Sequence, residues 1–295
     1  MDARTTALAA GVFAVAFGVA VATSGLALSP DRYLLVLLAP ALVLRRARRY
    51  LLDFLPFGVL LIVYSESRGI AHLLHPHPYY LPQLEAERFL FGGHVPSVWL
   101  QNQFWEGAPR WHDRALLEIT RLHFIVPPFV AFALWLRRRA LFYRFAASML
   151  VLSFAGALTF YLFPAAPPWA ASQADVLGPV TKLTDAHPSV SGVPVQTSGG
   201  SFSISRLIDP NPYAAIPSLH GGYAFLVFLF LAMLAWRTRW RWIVVSVGVL
   251  YPLLQGLAVV YTGNHYVVDL IIGFAYAAAA ILAVRVFWRR RGWPE

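Results

Sequence analysis

The chain has 295 residues, 58% of them hydrophobic and 13% charged, where an average soluble domain carries about 25% charged residues. That composition excludes a soluble globular enzyme and predicts a membrane protein. The formal charge of +10 is almost wholly arginine, since Lys182 is the single lysine among the 24 basic residues, and without cysteine no disulfide can form.

A helix crosses a bilayer in about 20 apolar residues, and by that measure hydrophobic segments fall at 7–28, 33–44, 51–74, 116–136, 140–163, 218–236, 242–262 and 266–288. The first follows a short basic start at Arg4 and, by its length, reads as a retained span. The second is short, either a thin crossing or half of a hairpin that dips in and returns. Arginines cluster at 45–49, 137–139, 237–241 and 289–291, each beside the end of a segment. With eight crossings, all four clusters fall on one side, which the positive-inside rule assigns to the cytoplasm together with both termini. Such placement is not a nucleic-acid-binding face, and no nucleic acid is expected as a partner. The expected location is a plasma or inner membrane.

Two long regions then lie outside the cytoplasm. In 75–115, Leu84, Phe89, Trp99 and Phe104 alternate with Glu85, Glu87, Arg88 and Gln101, a pattern of short amphipathic helices lying on lipid headgroups. Residues 164–217 are rich in Pro, Gly and Ser, and so long a loop is expected to act as a lid. The chain therefore divides into 1–50, two leading hydrophobic segments with a basic cytoplasmic loop, and 51–295, a catalytic membrane domain. The fold class is an all-α integral membrane protein with a six-span core bundle and two leading segments outside it. Trp99, Trp105, Trp111, Trp135, Trp236, Trp240 and Trp288 sit near span ends, where an indole is part apolar and part wet.

Two motifs stand where spans begin on the outer face, Pro217-Ser218-Leu219-His220 and Gly263-Asn264-His265-Tyr266-Val267-Val268-Asp269. A helix beginning just after Asn264 puts His265 and Asp269 at i and i+4, close enough for the carboxylate to fix the ring's tautomer. The carboxylate then stabilises the imidazolium as it forms, and the other ring nitrogen presents a lone pair that can attack phosphorus. His220 also lies at a helix start, where unpaired N–H groups and the dipole favour an anion, so the two starts together read as a phosphate cradle. Blander readings make Asp269 the neutraliser of an arginine and His220 a capping or core residue. Their common membrane depth weighs against both, because ionisable groups within spans are costly and face a partner or a cavity.

These residues resemble a known family. Pro217-Ser218-Leu219-His220-Gly221-Gly222 and His265-Tyr266-Val267-Val268-Asp269-Leu270-Ile271 are similar to the two histidine motifs of the type 2 phosphatidic acid phosphatase superfamily, and more closely to its inositolphosphotransferase branch. Phe163-Pro164-Ala165-Ala166-Pro167-Pro168-Trp169 resembles the proline-rich segment which that branch carries ahead of them, and the likeness covers roughly 110–290. The resemblance implies phosphoryl transfer in two steps. His265 would be the nucleophile that becomes a phosphohistidine, Asp269 would orient it, and His220 would be the general acid and then the general base.

Phosphatases of the superfamily carry an arginine six residues before the nucleophile; here that position is Val259, and no lysine opens the proline-rich motif. The inositolphosphotransferase branch shares that loss. Phosphate or head-group binding then falls to Ser218, Gly221, Asn264, Tyr261, Arg121, His123, Arg206 and Lys182, with Glu118–Arg121 also readable as a simple helix-face ion pair. His72, His75, His77 and His94 lack an acidic ligand at metal-site spacing, so neither a metal nor a cofactor is expected. The implied partners are a phospholipid donor, a lipid or lipid-linked hydroxyl acceptor and the bilayer; oligomeric state is not legible. The expected function is a lipid phosphotransferase moving inositol phosphate from phosphatidylinositol. The alternatives are an extracytoplasmic phosphatase acting on phosphatidic acid or polyprenyl (pyro)phosphate, and a non-enzymatic transporter or scramblase.

Overall fold

The computed structural model describes residues 3–24, 30–74, 77–184 and 211–292. The chain forms two compact units that meet in sequence between Gly69 and Ile70. The first holds α1 (Ala3–Ser24), α2 (Pro30–Val43) and α3 (Ala47–Ile70), with α1 packed on α2. The 14 residues of α2 rise about 21 Å at ~1.5 Å each, short of a hydrocarbon core of about 30 Å. A turn with Arg45 at φ 54° leads into α3, where the Tyr50 hydroxyl donates to the Leu34 carbonyl at 2.9 Å. The sequence reading counts α3 with the catalytic bundle; by compactness it belongs with the two leading helices.

The second unit is built on α6 (Trp111–Arg137), α7 (Arg139–Leu162), α9 (Leu219–Ala235), the near-continuous α10 (Arg241–Gly248) and α11 (Leu250–Tyr261), and α12 (Val267–Arg290), with α4 (Leu81–Leu90), α5 (Pro96–Phe104) and α8 (Pro168–Gln173) as short helices. These bounds follow the hydropathy closely, except that α6 begins ahead of residue 116. The carboxylate of Asp113 accepts from the Arg110 N–H at 2.7 Å and caps that extra turn.

Among the described residues, α3, α6, α7, α10–α11 and α12 are long and apolar enough to cross a membrane. Leu158, Leu162, Leu253, Leu257, Ile271 and Leu282 are exposed on them. A lipid-facing surface is apolar in this way, and the protein is an all-α, multi-pass integral membrane protein. The interior holds Phe142, Phe145, Leu152, Phe160 and Leu226, fully buried. Ser153 pairs there with Tyr223 at 2.7 Å and the half-buried Thr159 with Tyr276 at 2.9 Å, which offsets the cost of placing a hydroxyl in an apolar medium. The central helix is α9, which touches α6, α7, α10, α11 and α12. Gly273 sets its distance from α12, since a Cβ there would run into the Ser218 carbonyl.

The short helices differ from the expected picture of polar faces turned to water. Gln83 and Glu87 on α4, and Ser97 and Gln101 on α5, are no more than 4% exposed, while Phe89 is 86%, Trp99 55% and Phe104 50% exposed. Each helix therefore puts its polar i, i+4 pair into the protein and its aromatic residues outward. Three of these inward groups, Gln83, Glu87 and Gln101, satisfy backbone that has no helix or sheet to join. Gln83 Nε2 donates to the carbonyls of Tyr79 and Ala166, at 2.5 and 3.0 Å. Gln101 donates to Thr181 and Tyr261 carbonyls at 2.9 and 2.8 Å and accepts from the Thr181 N–H at 2.8 Å. Glu87 accepts from the N–H groups of Val267 and Val268, both at 3.0 Å, and so closes the start of α12.

The expected lid is in its described parts a packed wall. Ala165, Ala166 and Ala171 are fully buried, and single bridges join Tyr79 to Ala165 and Ala165 to Ala214. The middle of that loop, including Arg206, lies outside the described residues.

Burial pushes the Glu87 carboxyl above its usual range, while the two N–H bonds hold it in the opposite direction. Replacing it strands two buried donors at a helix start. Glu87→Ala is expected to cost about 2–4 kcal/mol, read as a lower thermal midpoint in detergent. Glu87→Gln, with one acceptor oxygen, recovers part of that loss; an unchanged midpoint in Glu87→Ala would show that the clamp carries no load.

Candidate active site

The site forms where α7 ends and α9 and α12 begin. Pro164, Pro167 and Pro168 keep the chain after α7 extended and remove three N–H donors, so this stretch lends carbonyls and few donors. Ala165 pairs on both sides: its N–H donates to Tyr213 at 3.1 Å, and its carbonyl accepts from Ala215 at 3.3 Å. That fixes Ala215. The carbonyl of Ala215 in turn stands 3.0 Å from Nδ1 of His265.

His265 itself lies two residues ahead of α12. The sequence reading starts the helix just after Asn264; the structure starts it at Val267, because Tyr266 is extended and Asp269, in the third helical position, accepts from the Tyr266 N–H at 2.8 Å. The i, i+4 pair still meets, across the helix start instead of along its face, with His265 Nδ1 3.4 Å from Asp269 Oδ2. The turn into it needs Gly263 at φ +78°, where a Cβ would press on Val180 and on the Thr181 carbonyl. Both residues are buried, His265 at 4% and Asp269 at 0% exposure.

Donor and acceptor chemistry fixes the protons. A carbonyl and a carboxylate only accept, so His265 Nδ1 carries hydrogen and Nε2 is the lone-pair nitrogen. Nε2 faces Nδ1 of His220 at 3.0 Å. With both rings neutral, His220 must donate, and its Nδ1–H occupies the lone pair of His265. Asp269 Oδ1 is buried without a hydrogen-bond partner, so this carboxylate is fully compensated only when His265 becomes an imidazolium. The pair thus has the geometry of which a nitrogen nucleophile is made: a lone-pair nitrogen, a carboxylate behind the ring and a second imidazole at that nitrogen.

The second motif is tied to the first through its backbone. Ser218 N–H donates to the Asp269 carbonyl at 2.9 Å, and the Ser218 hydroxyl caps α9 by accepting from Gly221 N–H at 3.4 Å. Ser218 and Gly221, expected to hold phosphate, are here bonded to each other at the start of α9, and Ser218 N–H ties that start to α12. The cradle of two helix starts is also halved, because Glu87 fills the α12 start.

The other expected binders are dispersed. Tyr261 is 1% exposed and its hydroxyl donates to Asp113, which makes it a tie between α11 and α6. Arg121 pairs with Glu118, and a residue two positions from His123 leaves the helix on another side. Asn264 donates to the Thr262 hydroxyl at 2.8 Å, and the Lys182 ammonium lies 4.7 Å from the Trp169 ring centroid. His123 is the exception, its ring centroid 4.1 Å from that of His220. Sequence reasoning missed the roles of Gln83, Glu87, Gln101 and Ala215. The i, i+4 spacing of Gln83 with Glu87 and of Ser97 with Gln101 was the available signal for an inward polar stripe.

Asp269→Asn keeps the shape and the Ala215 carbonyl but removes the anion. It is expected to lower kcat by ~10²–10³ with the fold intact, while His265→Ala abolishes turnover. Rates measured beside thermal midpoints check this; wild-type kcat in Asp269→Asn would separate the carboxylate from the chemistry.

The geometry has counterparts among known proteins. A profile of the PAP2 superfamily matches residues 84–283, which include every element of the site described above. A phosphoinositol dihydroceramide synthase of Bacteroides thetaiotaomicron is 30% identical over 159 residues, 52% of this chain and 49% of that protein. The chain thus aligns with about half the length of this curated relative, and no solved structure matches it. The relationship supports a lipid phosphotransferase or phosphatase enzyme of inositolphosphotransferase-like kind, and by the extent of the profile match this chain belongs to the PAP2 superfamily.

Proposed function

We propose that the protein transfers inositol phosphate from phosphatidylinositol to a hydroxyl on a second lipid, through a phosphohistidine at His265. In the first step Nε2 of His265 attacks phosphorus, the bond to the diacylglycerol oxygen breaks, and protonated His220 gives that oxygen its proton. Asp269 and the Ala215 carbonyl hold the resulting imidazolium by its Nδ1–H. In the second step the acceptor hydroxyl gives its proton to His220 and attacks phosphorus, and the bond to Nε2 breaks. One proton leaves His220 and one returns, so no other reactant is needed. Before the first step, the phosphate displaces His220 from the His265 lone pair.

The observation that carries this reading is the 3.0 Å approach of His220 Nδ1 to His265 Nε2, with His265 Nδ1 held from behind. Charge favours transfer from a diester over hydrolysis of a monoester. Val259 is fully buried in an apolar cluster with Val260 and Leu270, so nothing cationic stands where phosphatases of the superfamily place arginine. A phosphodiester carries a single negative charge and a phosphomonoester nearly two at neutral pH, so the diester needs less compensation. The name of the Bacteroides relative supports inositol phosphate as the group moved. The site is read as extracytoplasmic because α9 and α12 begin at it and run to the arginines at 237–241 and 289–291. Both lipids would then reach it sideways, their tails remaining in the bilayer.

Purified protein in detergent, given phosphatidylinositol labelled in the inositol ring with and without a lipid extract, tests the proposal by mass spectrometry of the products. Label is expected on a new lipid only when the extract supplies an acceptor. Intact phosphatidylinositol beside inorganic phosphate released from phosphatidic acid or polyprenyl phosphate would make the enzyme a phosphatase.

A further inference from the structure

His123 belongs to neither histidine motif, yet it touches one. It is 8% exposed on α6, and its ring plane is inclined by 58° to that of His220. Its Nδ1 lies 2.5 Å from the Thr120 carbonyl, which only accepts, so that nitrogen carries hydrogen and Nε2 is the basic one. The same carbonyl accepts from Gln255 Nε2 at 3.0 Å, and the Tyr251 hydroxyl donates to the Leu122 carbonyl at 3.2 Å. Two side chains of α11 therefore grip the turn of α6 that carries His123. That turn needs the support, because Pro127 has no N–H for the His123 carbonyl and Pro128 none for that of Phe124. The placement of this ring is built, from two helices.

Two imidazoles in contact do not both take a charge readily, and their protons behave as the property of the pair. Facing them are His265 and Asp269 from the start of α12. The side chains of α11 at this level, Tyr251 and Gln255, are uncharged; α7 meets α9 through Ser153 on Tyr223, and Arg121 of α6 is paired with Glu118.

We propose that His123 is a positioning residue for the transfer: it holds His220 toward His265 and shares its working proton, so that the acid and base is the His220–His123 pair. When the leaving oxygen takes a proton, the pair loses one; when the acceptor hydroxyl surrenders its proton, the pair regains it. The proposal rests on the role given to His220 above.

The test is a pH titration of ¹³C-histidine-labelled full-length protein in detergent by NMR, with His220 assigned through its loss in His220→Asn. His123→Phe, which keeps a ring but cannot titrate, is expected to shift the midpoint of the His220 signal, the contact of His220 with His265 being common to both proteins. In the same variant kcat is expected to fall ~10–100-fold, with KM for the donor within about threefold. Should His123→Phe fail to fold, His123→Gln gives the same reading. The same His220 midpoint in wild type and variant overturns the proposal, and so does a variant with wild-type kcat. The titration needs no substrate, so a wrong donor in the proposed function leaves this test standing.

Discussion

The 3.0 Å contact between His265 Nδ1 and the Ala215 carbonyl is the constraint on which the site depends. It decides which ring nitrogen holds hydrogen and turns the other toward His220. A histidine placed outside a helix has no neighbouring turn to hold it, so its orientation is borrowed from distant chain. Ala215 is held by Ala165, and the Pro164–Ala166 stretch is held by Tyr79 and Gln83. Asp269 adds charge to this arrangement more than direction, at 3.4 Å from the same nitrogen.

The rest of the unit serves to bring two helix starts together in an apolar medium. Backbone groups left over at such starts need partners, and several are given one by residues outside the helix they open. Glu87 serves α12, Ser218 serves α9, and Ser218 N–H reaches across to the Asp269 carbonyl. Gly273 permits that crossing by having no side chain. The proposed chemistry therefore occupies a place where the helices are already bound to one another, with the two imidazoles facing each other there. That arrangement suits the proposed chemistry, in which the nucleophile stays fixed while a lipid headgroup comes and goes.

Much of this was legible in the sequence, for identifiable reasons. Spans such as Arg139–Leu162 and Val267–Arg290 stand within a residue or two of the hydropathy because lipid leaves no choice but helix. His220, His265 and Asp269 were legible because ionisable groups in spans are few. The inward stripe of Gln83, Glu87 and Gln101 was not, since these residues read equally as the wet face of an interfacial helix. Only the position of the proline-rich wall, which is tertiary, decides between the two. The exact start of α12 was hidden for a similar reason: Asp269 at the third helical position and Asp269 one turn after His265 are the same spacing pattern read two ways. Of the binders expected around the phosphate, Arg121 pairs with Glu118, Asn264 with Thr262 and Tyr261 with Asp113, and the last of these, 148 residues apart, is a tertiary contact that spacing does not reveal.

The central claim is that phosphorus passes through His265. Rapid mixing with phosphatidylinositol, an alkaline quench that preserves phosphoramidates, and mass spectrometry of the digested protein tests it directly. The account predicts inositol phosphate on the peptide bearing His265, removed by brief acid and absent from His265→Ala. Turnover with no such adduct, or an adduct on another side chain, would contradict it.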